Sequence, residues 1–185
     1  MTLGQDFETI LAAARAGGEW AWVRLYDDMA PVVMGYVRGR NASEPEDITG
    51  EVFLQVARDL SRFEGDERAL RAWALTIARN RLIDEARYRF HRPVAPAPDD
   101  LLHHRAPVGN VEQEALESVA TERVRDIISE LTRDQQEVLL LRIIGQLTVE
   151  EVGAVMGRRP GSIKALQRRG LARIRQQLLA RGVTL

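Results

Sequence analysis

Apolar residues recur at three- and four-residue spacing along almost the whole chain and nowhere alternate, so the pattern predicts helices and no strands. Phe7, Ile10, Leu11 and Ala14 mark a helix over Asp6–Ala16, closed by Gly17-Gly18. Trp20–Arg40 is a longer helical stretch carrying Trp20, Val23, Leu25, Tyr26, Val32, Val33, Tyr36 and Val37. Its Trp and Tyr residues are expected in the core, and Pro31 should kink or split it near Asp28–Ala30. In Glu44–Leu60, Ile48, Val52, Val56 and Leu60 recur every fourth residue with Phe53 beside them, and Ser43 and Glu46 have the spacing of a capping box. A polar loop, Ser61–Ala69, leads to a long helix over Leu70–Phe90, whose apolar side is Leu70, Trp73, Ala74, Ile77, Ala78, Leu82 and Ile83.

The next stretch, His91–Asn110, carries Pro93, Pro96, Pro98 and Pro107 and little periodicity, and so reads as a linker. Beyond it Val111–Glu130 is amphipathic through Leu116, Val119, Val124, Ile127 and Ile128. Thr132 and Gln135 then form a capping box ahead of a strongly apolar helix with Val138, Leu139, Leu141, Ile143 and Ile144, closed by Gly145. A third such box, Thr148 and Glu151, opens a short helix (Val149, Val152, Val155, Met156) that Gly157 stops. Pro160 suits the first turn of a last helix, expected to bury Ile163, Leu166, Leu171, Ile174 and Leu178. Two helices joined by a tight glycine turn, the second of them basic, describe a helix-turn-helix. The fold class is therefore all-α, two small helical domains joined by a flexible linker: residues 1–91, a linker 92–111, and residues 112–185.

Net charge, −1 over 185 residues, conceals a strong asymmetry. Residues 131–185 hold ten basic residues against four acidic ones, and residues 94–130 hold three against eight. From Arg158 onward no Asp or Glu interrupts the cations. An unmixed basic face points to a polyanion such as DNA, or to an acidic protein segment. The acidic linker is a candidate shield for that basic end. A second cationic surface, Arg79, Asn80, Arg87 and Arg89, interleaves with Tyr88 and Phe90, which suits single-stranded nucleic acid. On Glu44–Leu60, Asp47, Glu51 and Gln55 share a side that is either solvated or a docking face. There is no cysteine, no span long enough for a membrane and no signal-peptide pattern, which fits a cytoplasmic protein. His103-His104 lacks companion ligands, so no metal and no cofactor is expected.

Two separated stretches together resemble one family. EDITGEVFLQVARDL with LRAWALTIARNRLIDEARYR resembles the region 2 domain of bacterial extracytoplasmic-function (group IV) RNA polymerase sigma factors. LTRDQQEVLLLRIIGQLTVEEVGAVMGRRPGSIKALQRRGLARIRQQL resembles their region 4 domain. The resemblance implies a protein that catalyses nothing itself, works with the nucleoid-bound polymerase, and directs it to promoters. It implies that Asp47, Glu51 and Gln55 dock on the clamp helices of the largest polymerase subunit, with Gly50 where the family usually has Gln. It implies that the Ser61–Arg68 loop, with Phe63, Glu64, Gly65 and Asp66, holds a flipped base of the −10 element, beside a helix reading it through Arg79, Asn80, Asp84 and Arg87. Arg158, Arg159, Ser162, Lys164, Gln167 and Arg168 are implied to face the −35 element. The implied partners are core RNA polymerase (including the flap of its second-largest subunit), promoter DNA and an anti-sigma protein, without membrane insertion. The linker is implied to thread toward the active-site channel and RNA exit path. An ordinary dimeric helix-turn-helix regulator would explain residues 131–179 but leave 44–90 without a role; a small metal enzyme finds no spaced ligand set.

Overall fold

The computed structural model describes residues 3–91, 127–128 and 130–182. The expected linker, its histidine pair and nearly all of the predicted helix Val111–Glu130 lie outside the described residues. Among the described residues every regular element is helical. A 3-10 turn, Gly4–Asp6, precedes α1 (Phe7–Arg15) and α2 (Glu19–Gly39). Then come α3 (Pro45–Asp59), a 3-10 turn at Leu60–Arg62, and α4 (Glu67–His91). The second half contributes α5 (Arg133–Ile143), α6 (Val149–Met156) and α7 (Pro160–Ala180).

Helix α2 is the post around which the first half packs, with α1, α3 and α4 against it. It runs unbroken through Pro31, so the chain does not split there as one form of the expectation had it. Pro31 lies on the exposed side, and so does Asp27, whose carbonyl loses its helical partner there. Water can satisfy that carbonyl, while Met29 and Val33, buried on the opposite side, keep the helix packed on the core. The core stripe of α2 is Ala21, Leu25, Met29, Val33, Tyr36 and Val37. Trp20 and Tyr26 fall off that stripe and are exposed, the former by 55%, against the expectation that they are core. Tyr36 is fully buried as expected.

The start of α3 also differs. No capping box forms at Ser43: the hydroxyl of Ser43 donates to the Glu85 carboxylate, and Glu46 pairs with Arg38 at 2.8 Å. The cause is local. A residue before proline is driven out of the α region, so Glu44 cannot be the first helical residue and the helix must begin at Pro45. By contrast α4 begins earlier than its apolar pattern suggests, because Asp66 Oδ1 accepts from the Ala69 backbone N–H at 2.8 Å and caps the extra turn.

The boxes at Thr132 and Thr148 form as expected. Glu151 Oε2 accepts from the Thr148 backbone N–H at 2.6 Å, and Thr148 Oγ1 accepts from the Glu151 N–H at 3.2 Å. On α7 the buried positions are Ile163, Leu166, Gly170 and Gln177. Leu171, expected inside, is exposed, because it sits one residue past Gly170 and off the stripe. Gly170 earns its place: a Cβ there would come 3.1 Å from Leu139 Cδ1 of α5. Ile143, one of the residues that make the predicted helix apolar, is exposed at the end of α5.

The two halves touch. Helix α6 packs on α4 and α5 on α2, and buried apolar residues of both halves form one continuous cluster.

Candidate nucleic-acid interface

The helix-turn-helix is fixed by two glycines. Gly157 takes the left-handed conformation (φ 64°) that ends α6. Gly153 allows the turn to fold back, so that the Arg158 N–H reaches the Gly153 carbonyl at 2.8 Å. A Cβ on Gly153 would lie 2.7 Å from the Arg158 carbonyl oxygen, too close to tolerate. Helix α7 leaves this turn with Ser162, Lys164 and Arg168 exposed and Gln167 half-buried. Lys164 and Arg168 are four apart and share a face, the arrangement that reaches base edges in a major groove. Neither forms an ion pair among the described residues, and nor does Arg159. Arg158 differs, its guanidinium lying 2.7 Å from Asp134. Thr148→Ala should cost the domain about 1 kcal/mol, the usual worth of an N-cap. Chemical denaturation measures it, and an unchanged midpoint would show that the box contributes nothing.

The loop between α3 and α4 forms a cleft of about 520 Å³, lined by Asp59, Arg62, Phe63, Glu64, Ala69 and Trp73. The rings of Phe63 and Trp73 stack with centroids 5.4 Å apart. Gly65 bends the loop at φ 144°, and a Cβ there would meet Ala69 Cβ at 2.7 Å. Asp66 is committed to capping α4, and Glu64 is exposed at the rim. Arg15 of α1 braces the loop from behind, donating to the carbonyls of Leu60, at 3.2 Å, and of Phe63. Sequence reasoning missed Arg15 altogether and read Trp73 only as core. An aromatic in an otherwise apolar stripe, one turn after a loop, was the available signal.

Beyond the cleft, Asn80, Asp84 and Arg87 recur on one exposed side of α4, with Arg87 lying 3.5 Å from Asp84. Arg79, grouped with them by sequence, lies about a quarter-turn away. It points into the seam between the halves, where its Nε is 2.6 Å from Glu137 Oε1. The loop, Asn80, Asp84 and Arg87 thus adjoin on one half, and the α7 residues stand on the other.

A third surface lies on α3. Asp47 and Glu51 are exposed, and Gln55 is half-buried. Arg81 of α4 reaches both Glu51, at 3.4 Å, and Gln55, at 3.1 Å. At the edge of this face is Leu54, 67% exposed. Its position, off the every-fourth-residue core stripe, was legible in the sequence and was passed over. The space beside Gly50 is open.

Comparison with known proteins accounts for both halves. Residues 25–90 match sigma-70 region 2, and residues 121–174 match sigma-70 region 4. The chain is 34% identical over 167 residues to the ECF RNA polymerase sigma factor BldN of Streptomyces coelicolor, an alignment covering 88% of this chain and 62% of that protein. It is therefore shorter than that relative. It is 30% identical over 154 residues to the ECF RNA polymerase sigma factor ShbA of Streptomyces griseus, covering 78% of this chain and 81% of that one. Its fold is shared with the sigma factor RpoE solved in complex with the anti-sigma factor NepR from Bartonella quintana, at a TM-score of 0.62, 21% identity, and coverage of 84% of this chain and 94% of that one. With a basic second helix in the helix-turn-helix on one half, an aromatic cleft on the other and both region signatures in this order, the chain belongs to the ECF family of RNA polymerase sigma factors.

Proposed function

We propose that the chain, a member of group IV, binds core RNA polymerase through α3 and directs it to promoters by reading −35 and −10 elements and holding the melted −10 strand. The observation that carries this reading is the presence, on one chain, of a basic helix-turn-helix face, with Lys164 and Arg168 exposed and without an ion pair among the described residues, and of a separate cleft with a stacked aromatic wall. A duplex reader alone needs only the first. Removing a base from its stack costs a few kcal/mol, so opening DNA needs a site shaped to receive that base.

The roles divide along the chain. Asp47, Glu51 and Gln55, with Leu54 beside them, meet the polymerase clamp helices. Phe63, Glu64, Gly65 and Asp66 form the loop that receives the base, and Asn80, Asp84, Arg87 and Arg79 line its path. Arg158, Arg159, Ser162, Lys164, Gln167 and Arg168 face the −35 duplex, and the half that carries them also meets the flap of the second-largest subunit. Residues 1–91 and 112–185 act as the two domains, and 92–111 as the linker that threads toward the active-site channel. The chain supplies no catalysis; the polymerase does. No described helix is long and apolar enough to cross a membrane, and the protein works in the cytoplasm beside the nucleoid. An anti-sigma protein holds it inactive, as NepR is bound to RpoE in the Bartonella complex.

The test is transcription with purified parts. Genomic fragments selected by the chain plus core polymerase should initiate at defined positions sharing two sequence blocks. Core polymerase alone giving the same starts would overturn the proposal.

A further inference from the structure

The side of α2 that faces away from the core carries an exposed apolar pair flanked by opposite charges. The core stripe of this helix includes Ala21, Leu25, Met29 and Val33. With 3.6 residues per turn, Trp20, Val23, Arg24 and Asp27 fall on the other side, and all four are exposed. Trp20 keeps 55% of its surface in water and Val23 52%. Together with Glu19 and Arg24 they line an open hollow of about 490 Å³. Neither Glu19 nor Arg24 forms an ion pair among the described residues. Tyr26 extends the apolar surface toward α3, where its ring lies 4.7 Å from that of Phe53. The turn before the helix is bare: Ala16, Gly17 and Gly18 bear no side chain beyond a methyl, and a Cβ on Gly17 would meet nothing within 4 Å. Gly18 starts α2 without a side-chain cap.

We propose that this face of α2 binds the same face of a second copy of the chain, the two helices running antiparallel about a twofold axis that passes between Ala21 and Trp22. Along the helix the order is acid, apolar, apolar, base, from Glu19 through Trp20 and Val23 to Arg24. Turning that order end for end sets Trp20 against Val23 of the other copy and Glu19 against its Arg24. Each contact then occurs twice, as an isologous interface requires. These four side chains complement themselves in charge, and that is what favours a second copy over an unrelated partner. The bare turn lets the second helix pass beyond the start of the first. Asp27 of the other copy then reaches that uncapped end, where the helix dipole favours a carboxylate. The exposed apolar surface falls well short of the ~800 Å² per partner that a stable complex buries, so the dimer forms only at roughly tens of micromolar and above. The pairing needs nothing from the promoter reading.

Sedimentation velocity of the whole chain, from micromolar to several hundred micromolar, reads the association directly. The sedimentation coefficient should rise with concentration by mass action. Glu19→Arg and Arg24→Glu should each associate at least about tenfold more weakly, because like charges then face each other across the pair. Mixed in equal amounts, the two variants should associate as the parent does, since each offers the charges that the other lacks. Both positions are exposed, and helical circular dichroism checks that the variants keep the parent fold. A parent that stays monomeric throughout, single variants that associate like the parent, or a mixture that gains nothing would each overturn the proposal. A monomeric parent whose Trp20→Ser variant loses core polymerase in a pull-down would assign the face to the polymerase, which overturns it too.

Discussion

Leu54→Asp should abolish capture of core RNA polymerase while leaving the helical content of the protein unchanged. Leu54 contributes little to the core, since two-thirds of its surface already faces water. Exposed substitutions of that kind usually change stability by no more than about 0.5 kcal/mol. On α3 it lies beside Asp47, Glu51 and Gln55, an apolar side chain next to polar ones, as interfaces combine them. Apolar anchors of an interface cost ~2 kcal/mol or more when lost. Seating a carboxylate against the partner adds the penalty of burying a charge. Together these predict a loss of about 100-fold or more, each 1.4 kcal/mol being a factor of ten. Titration of labelled protein with core polymerase measures it. Parental affinity in Leu54→Asp would move the docking surface off α3, whereas a parallel loss in Asp47→Lys would place both residues in it.

Arg168→Ala should weaken holoenzyme binding at a cognate −35 element by about 1–3 kcal/mol if its guanidinium pairs with a guanine. Arg168 is exposed and free of acidic partners among the described residues, so nothing must be broken before it reaches DNA. Arg158 should show a smaller effect, because it must first leave Asp134. Gel shifts on matched and scrambled −35 sequences separate the cases. An equal loss on every sequence would reassign Arg168 to the phosphate backbone, which carries affinity without sequence information.

The helices were legible because each buries a stripe at helical spacing. The errors have local or distant causes. Ser43 looked like a cap only while the restriction that Pro45 imposes on Glu44 was ignored. Trp20, Tyr26 and Leu171 were assigned to the core by residue type, though each sits beside the stripe rather than on it. The polar side of α3 and the basic face of α7 use residues close in sequence, so their spacing was legible, whereas the loop before α4 stood out only through the family resemblance. The seam was invisible for the opposite reason. Gly39 and Leu140, or Arg79 and Glu137, meet only after two halves fold and pack, and nothing in local periodicity records that meeting. The same distance explains why Arg79 was grouped with Asn80.

Arg15 belongs to a helix that precedes the part of the chain matching region 2, which begins at Leu25. Yet its guanidinium holds the carbonyls of Leu60 and Phe63, the two ends of the turn that leads into the aromatic cleft. A boundary drawn by similarity alone would cut this scaffold away and leave every residue proposed to meet DNA in place. If the loop receives a base as proposed, such a trimmed domain would have to organise it at the moment the base arrives. The entropy that α1 settles during folding would then fall on promoter opening, and the shortened protein should find its duplex normally but open it slowly.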